Sequence, residues 1–258
     1  MRDSLERLEA VLSAHDELTV AVSGGVDSMT LATAAMRVVP KLTVMHAVSP
    51  AVPAAATERV RKAADEQGWD LHVVDAGEQR DPDYLSNPHN RCYFCKRNLF
   101  ERIGPSGEGR IATGTNMDDL GDFRPGLGAA REHAVFQPYV EAALFKRDIR
   151  DIARRMGLGE ISELPAEPCL ASRIETGIRI DADDLAFVER VEGLARELVG
   201  PADIRCRITR EGVRLETSRQ GGEALASLVE RMCRQEGRIF AGVAPYRRGS
   251  AFVVAEQA

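Results

Sequence analysis

Apolar and polar positions alternate between two periods along roughly the first 160 residues. The runs at 18–22, 41–48, 70–74 and 110–114 are β-branched or apolar and have the length of strands. Residues 29–36 and 53–68 carry a helical pattern. The stretch 145–156 is strongly amphipathic, with Ile149, Ile152 and Met156 on one face and Arg and Asp on the other. A further amphipathic helix opens at Met1 to Arg7. Strands alternating with helices predict a parallel sheet covered on both faces. Between these elements, 87–91 reads as a loop leading into a helix over 96–102, 104–109 as a turn, and 121–131 as a Gly/Arg-rich loop.

The pattern changes after Leu164-Pro165-Ala166-Glu167-Pro168. From 178 onward it reads strand, helix (181–199), strand (204–209), strand (213–216), helix (223–236), strand (239–244) and a short last strand (251–254). That order is close to a split βαβ sandwich. The expected organisation is an α/β domain over 1–168 and a smaller α+β domain over 169–258, for substrate binding or oligomerisation, with no internal repeat.

Composition narrows the function classes. Hydrophobic residues make up 44% and charged residues 29% of 258 positions, as in an ordinary globular chain. The formal net charge of −6 gives no overall attraction for nucleic acid or anionic membrane. Lysine occurs only at Lys41, Lys62, Lys96 and Lys146, so arginine supplies most of the positive charge. Without an apolar leader or a membrane-length apolar run, the expectation is a cytoplasmic protein. Five cysteines then argue for thiol or metal chemistry rather than a disulfide framework.

Candidate chemistry begins with Ser23-Gly24-Gly25-Val26-Asp27-Ser28, between the first strand and the first helix of the alternating region. Glycines let backbone N–H groups approach an anion closely, and a helix N-terminus adds partial positive charge. Ser23 and Ser28 can donate to phosphate oxygens, and Asp27 can hold magnesium beside them. The segment therefore reads as a pyrophosphate cradle without the lysine of the G-x-x-x-x-G-K-[ST] loop. The plainer alternative is a Gly-Gly turn followed by a helix cap.

Cys92-Tyr93-Phe94-Cys95 has the spacing at which a turn brings two sulfurs to one metal, and Cys169 lies in a second loop after a proline break. Three loop cysteines suit a [4Fe–4S] cluster with one open iron. Zinc with His89, a redox dithiol and simple packing remain alternatives. Cys169 beside Arg173 also reads as an activated nucleophile. Cys206 and Cys233 fall in a strand and a helix, where they read as small buried hydrophobes. His46 likewise reads as a packed strand residue.

The loop at 23–28 resembles the PP-loop of the ATP pyrophosphatase family, whose signature is SGGxDS. Together with Arg91-Cys92-Tyr93-Phe94-Cys95-Lys96, Cys169-Leu170-Ala171-Ser172-Arg173 and the block running from Gly114-Thr115-Asn116-Met117-Asp118-Asp119 to Arg124-Pro125-Gly126-Leu127, it resembles the LarE family of PP-loop sulfurtransferases. Ile204-Arg205-Cys206-Arg207 and Tyr246-Arg247-Arg248-Gly249-Ser250 match loosely.

The resemblance implies an adenine nucleotide alpha hydrolase-like fold and an enzyme with ATP and magnesium as cofactors. ATP would adenylate a carboxylate of pyridinium-3,5-biscarboxylic acid mononucleotide, and sulfur would then replace AMP on the route to the nickel-pincer nucleotide. Family members with one cysteine at the position of Cys169 sacrifice its sulfur; those with the additional C-x-x-C bind a [4Fe–4S] cluster on all three and deliver a hydrosulfide. Having Cys92, Cys95 and Cys169, this chain is expected to follow the cluster route, with sulfide or another sulfur donor as partner. Assembly as a homo-oligomer is also implied.

By the same resemblance Ser23, Gly24, Gly25, Asp27 and Ser28 bind ATP and magnesium, with Asp27 and Cys169 catalytic. Asp118 and Asp119 help hold magnesium or the adenylated intermediate, unless they are a helix cap. Arg124 contacts phosphate, and Ser172 and Arg173 bind AMP or substrate. Arg205 and Arg207, alternating along one strand, clamp the substrate phosphate unless they form a solvated face. A tRNA-thiolating PP-loop enzyme is the nearest rival, and the acidic balance counts against it.

Overall fold

The computed structural model describes residues 3–200, 202–218 and 222–247. In chain order the elements are α1 (Ser4–Leu12), β1 (Glu17–Val22), α2 (Val26–Val38), β2 (Lys41–Val48), α3 (Ala54–Gln67), β3 (Leu71–Asp75), α4 (Pro82–Leu85) and α5 (Arg91–Ile103). They continue with β4 (Arg110–Ala112), α6 (Gly126–Glu132), α7 (Pro138–Glu141), α8 (Lys146–Arg155), α9 (Ala182–Val199), β5 (Ile204–Thr209), β6 (Gly212–Thr217), α10 (Gly222–Gln235) and β7 (Phe240–Pro245). The chain divides into two compact units, Met1–Gln79 with Cys92–Glu167, and Arg80–Arg91 with Pro168–Ala258.

The first unit is built on a four-stranded parallel sheet in the order β3-β2-β1-β4. Leu18, Val20 and Val22 of β1 are buried and pack with Met29, Leu31 and Ala32 of α2, Val44 of β2, and Ile149 and Ile152 of α8. The amphipathic α8 thus buries the stripe its sequence shows. β3 departs from the expected two-sided cover: it is the sheet edge, and His72 and Val73 are exposed. Strand order reverses between β1 and β4, and in such sheets ligands bind at the carboxyl ends of the strands flanking that reversal. The loop at 23–25 leaves the carboxyl end of β1 at this point.

Two expected loops are helical. Cys92 and Cys95 lie in the first turns of α5 rather than in the preceding loop, because the Arg91-to-Lys96 stretch contains no helix breaker. Residues 126–132 form α6 rather than a flexible connection. Its glycines serve packing: a Cβ on Gly126 would lie 2.9 Å from Lys96 Cγ and 3.3 Å from the Cys92 carbonyl oxygen. A Cβ on Gly128 would meet the Tyr93 ring at 3.5 Å. Small residues here let α6 lie against the cysteine-bearing face of α5.

The second unit holds a three-stranded sheet in the order β5-β6-β7. β5 and β6 form an antiparallel hairpin, and β6 and β7 pair in parallel across α10. Because β6 and β7 are direct neighbours, the βαβ crossover is not split by another strand among the described residues. Only glycine fits at 212, where φ is +124° and a Cβ would lie 2.5 Å from the Ile239 carbonyl oxygen. No strand forms at 178. Ile174 instead makes an isolated parallel bridge to Ile208, and the Ile180 N–H donates to the Leu85 carbonyl (2.9 Å). The strand expected at 251–254 lies outside the described residues.

Candidate functional site

The glycine loop has the geometry of an anion cradle. Gly24 sits at φ +82°, and a Cβ there would lie 2.7 Å from the Ala56 carbonyl oxygen. Gly25 is the N-cap of the 13-residue α2, and no side chain caps its free N–H groups. A Cβ at Gly25 would touch only Ser23 Oγ, at 3.7 Å, so the approach to those groups is open. The Ser23 N–H donates to Ser28 Oγ (3.1 Å), whose hydroxyl donates to the Gly25 carbonyl (3.2 Å). Ser23 is exposed and Ser28 buried, with their hydroxyls 3.3 Å apart. Gly114, past the end of β4, faces the start of α2: a Cβ there would lie 3.0 Å from Asp27 Cβ and from the Ser28 nitrogen.

Two ties hold this loop from β2 and α3. His46 is fully buried at the β2 position paired with Val22. Its Nδ1 lies 2.9 Å from the Val22 carbonyl and its Nε2 2.9 Å from Thr57 Oγ1. A carbonyl can only accept, so Nδ1 carries the proton and Nε2 accepts from Thr57. Burial lowers the His46 pKa, which favours this neutral ring. Arg59 donates to the Gly24 carbonyl (2.6 Å) and pairs with Glu167 (3.2 Å). His46 is indeed packed, yet it packs against the strand end that carries the loop.

Asp27, one residue into α2, is the electrostatic centre of the cradle. Its Oδ2 accepts from Lys146 Nζ, while its buried Oδ1 has no hydrogen-bond partner among the described residues. Desolvation raises its carboxyl pKa, against the lowering effect of Lys146. The Tyr139 hydroxyl donates to the Asp27 backbone carbonyl (2.8 Å). An orphaned carboxylate oxygen beside an uncapped helix start fits a hard cation and its phosphate ligands.

Asp118 and Asp119 border this centre as caps. The Lys146 N–H donates to Asp118 Oδ2 (2.7 Å), and the Asn116 N–H donates to Asp119 Oδ2 (3.2 Å). Arg124 pairs with Asp119 at 2.7 Å and lies 3.8 Å from Asp122. Lys146, Tyr139, Arg59, Thr57 and Gly114 carry no site role in the sequence alone. Of these only Gly114 stood in a noted motif; the others come from elements that give no local sign of approaching the loop.

The cysteines are divided between the units. Cys92 and Cys95, three residues apart on α5, share a helix face in the first unit and are partly exposed. Tyr93 beside them donates to Glu132 (2.7 Å), and Arg97 stacks over Phe94, 5.2 Å from its centroid. Cys169 belongs to the second unit, at the N-cap of a 3₁₀ turn over Leu170–Arg173, and is also partly exposed. Cys206 and Cys233 are buried, and burial raises both thiol pKa values. Among the described residues no group of three His, Cys, Asp or Glu side chains stands together as a metal site.

Within the second unit Arg173 is buried and fully engaged. It pairs bidentately with Glu192 (2.8 and 3.0 Å) and donates to the Pro168 carbonyl (2.7 Å), the Cys169 carbonyl (3.2 Å) and Ser172 Oγ (2.9 Å). Arg207 donates to Glu216 (3.0 Å) and to the Ser172 carbonyl (3.0 Å). Arg205 is buried, donates to the Ile204 carbonyl (2.7 Å) and lies 5.5 Å from the Tyr246 ring centroid. Burial, then the nearby Arg173 charge, lowers its pKa. Arg205 and Arg207 thus form no solvated strand face.

A glycine loop and an orphaned carboxylate at the reversal point of a parallel sheet make the first unit an α/β domain consistent with the Rossmann-like PP-loop class. No protein-family model matches the chain. It is 35% identical over 221 residues to an uncharacterized protein of Synechocystis sp., covering 84% of this chain and 82% of that protein. An uncharacterized protein of Methanocaldococcus jannaschii is 29% identical over 197 residues, covering 75% and 74%. Pyridinium-3,5-bisthiocarboxylic acid mononucleotide synthase of Lactiplantibacillus plantarum is 27% identical over 215 residues, covering 81% and 77%. The chain belongs to the family of the Synechocystis protein, and its similarity to the synthase supports the LarE family to which the motifs pointed. Among the described residues no helix is long and apolar enough to cross a membrane.

Proposed function

We propose that the protein is an ATP-dependent sulfurtransferase that converts a carboxylate of pyridinium-3,5-biscarboxylic acid mononucleotide to a thiocarboxylate. The observation that carries this is the open, uncapped start of α2 beside the orphaned oxygen of Asp27. The relation to a synthase named for the bisthiocarboxylic acid mononucleotide supports the substrate class.

In this reading the 23–28 backbone and hydroxyls hold the ATP phosphates, and Asp27 holds magnesium, which supplies charge neutralisation for the phosphate chain. The substrate carboxylate attacks the α-phosphorus; the bond to the bridging oxygen breaks, and that oxygen leaves on pyrophosphate. A sulfur nucleophile then attacks the activated carbonyl, its proton passes to solvent, and AMP departs with a former carboxylate oxygen. Asp118, Asp119 and Arg124 position the loop and α8 around Asp27. Within the second unit, Ser172, Arg205 and Arg207 are the proposed contacts of the substrate phosphate, which would have to displace the Glu216 partner of Arg207. Arg173 fixes the main chain around Cys169.

In this proposal Cys92, Cys95 and Cys169 would be the residues to hold a [4Fe–4S] cluster, which would supply a hydrosulfide. A second reading makes Cys169 a single-use donor. It is favoured by the Arg173 clamp, which holds the backbone of the partly exposed Cys169 through its carbonyl. Anaerobic turnover with ATP, magnesium, sulfide and the biscarboxylate nucleotide, followed by mass spectrometry of product and protein, tests both. Repeated turnover to a thiocarboxylate with unchanged protein mass supports the cluster route. Loss of hydrogen sulfide from Cys169 supports the single-use route, and absence of any thiocarboxylate contradicts both.

A further inference from the structure

We infer that Lys146 is an exchangeable counter-ion and a catalytic residue. It neutralises Asp27 while the cradle is empty, and on loading its ammonium turns to pair with the pyrophosphate that leaves. The inference rests on the ATP-cleaving reading above.

Three observations converge on it. Lys146 Nζ donates to Oδ2 of Asp27 while Oδ1 of the same carboxylate is buried and unpartnered. The carboxylate is thus half-satisfied: one oxygen is held by a monovalent cation, and the other is left for a second cation. The side chain also reaches solvent. Its backbone is anchored as the first residue of α8, where its N–H meets Asp118, but the side chain is 36% exposed. Third, the residue is one of only four lysines in a chain with 34 Lys and Arg. Near the loop arginine forms other ion pairs, such as Arg59 with Glu167 and Arg124 with Asp119. A guanidinium would fork across both carboxylate oxygens, whereas a compact ammonium on a flexible stem leaves one open and rotates between partners.

Electrostatics set the direction of the exchange. A divalent cation at Oδ1 repels the ammonium from the shared carboxylate, and the incoming phosphates attract it. As the bond between α-phosphorus and bridging oxygen breaks, its electron pair stays on the oxygen, and the ammonium donates a hydrogen bond to the charge that develops there. The lysine keeps its proton throughout.

Manganese(II) alone, bound at pH 8 without nucleotide and followed by electron paramagnetic resonance, reads the first half. Lys146→Met removes the competitor and is expected to tighten manganese binding by about tenfold or more, while Lys146→Arg is not expected to tighten it. Single-turnover pyrophosphate release from ATP and the biscarboxylate nucleotide reads the second half. It is expected to fall about 100-fold or more in Lys146→Met, with ATP binding changed less than about threefold. Unchanged or weaker manganese binding in a folded Lys146→Met protein overturns the exchange, and undiminished pyrophosphate release overturns the catalytic role. If the unmodified protein releases no pyrophosphate, the ATP-cleaving reading and the catalytic role fail together, and the manganese comparison alone decides the counter-ion exchange.

Discussion

Asp27 shows how a single residue carries a functional strain that its fold tolerates. Burial raises its carboxyl pKa even though Lys146 pulls the other way. A carboxyl with a folded pKa above its unfolded one favours the fold when protonated; that contribution is lost as pH rises through the folded value. At neutral pH the ionised group therefore weighs against the fold. Asp27→Asn is expected to melt no lower than the unmodified protein at pH 7, with any advantage shrinking as the pH falls toward the carboxylate range. The same variant is expected to lose pyrophosphate release by about 100-fold or more. A lower melting temperature at pH 7 would show that the Lys146 pair outweighs desolvation.

His46 has the opposite linkage. Its folded pKa lies below the unfolded value, so its contribution to stability is full above about pH 6.5 and is lost as pH falls through the folded value. Replacing it with Gln should flatten the stability profile on the acid side of pH 6.5, as read by denaturant titration at stepped pH. An unaltered slope would mean that His46 does not report this burial. The type of residue at Asp27 was legible in the sequence, because Asp after two glycines at a helix start has few uses. The importance of His46 was not, since nothing local shows that position 46 lies beside the Val22 carbonyl.

Elements were legible where a single period governs them. β2 and β5 match their expected bounds, and α3, α8 and α10 lie within two residues of theirs. The misses share a cause. The Gly-rich 121–131 stretch reads as a loop because glycine is a poor helix former, yet Gly126 and Gly128 lie in α6, where a Cβ would press on α5. Local propensity there yields to packing between helices, which one sequence does not display. At Gly24 the two levels agree: φ is +82°, and a backbone oxygen 2.7 Å from the missing Cβ forbids any side chain. Gly24→Ala is expected to destabilise the protein by roughly 2 kcal/mol and to abolish ATP binding, as measured by denaturant unfolding and calorimetric titration. Wild-type affinity in that variant would show that the phosphates do not sit on this loop.

For the whole molecule, the candidate residues fall in two units while their sequence signals are local. The 23–28 loop, the 114–124 block and the C-x-x-C pair belong to the first unit, and Cys169 with its Arg173 clamp belongs to the second. The segment 80–91 joins the second unit although it lies within the sequence of the first, an interleaving that no composition shift marks. The alternating pattern sufficed for the parallel sheet and for the loop at its reversal point. It could not show that Arg173, Arg205 and Arg207 would be buried rather than arrayed on a face, because charged residues on a strand ordinarily read as solvated. In the proposed function the decisive reaction is adenylation of a carboxylate, which would leave an isotopic trace. With substrate carboxylates enriched in oxygen-18, ATP and a sulfur source, the label should emerge in AMP, equimolar with pyrophosphate. Formation of ADP and phosphate, or of AMP without label, would contradict carboxylate activation at the 23–28 loop.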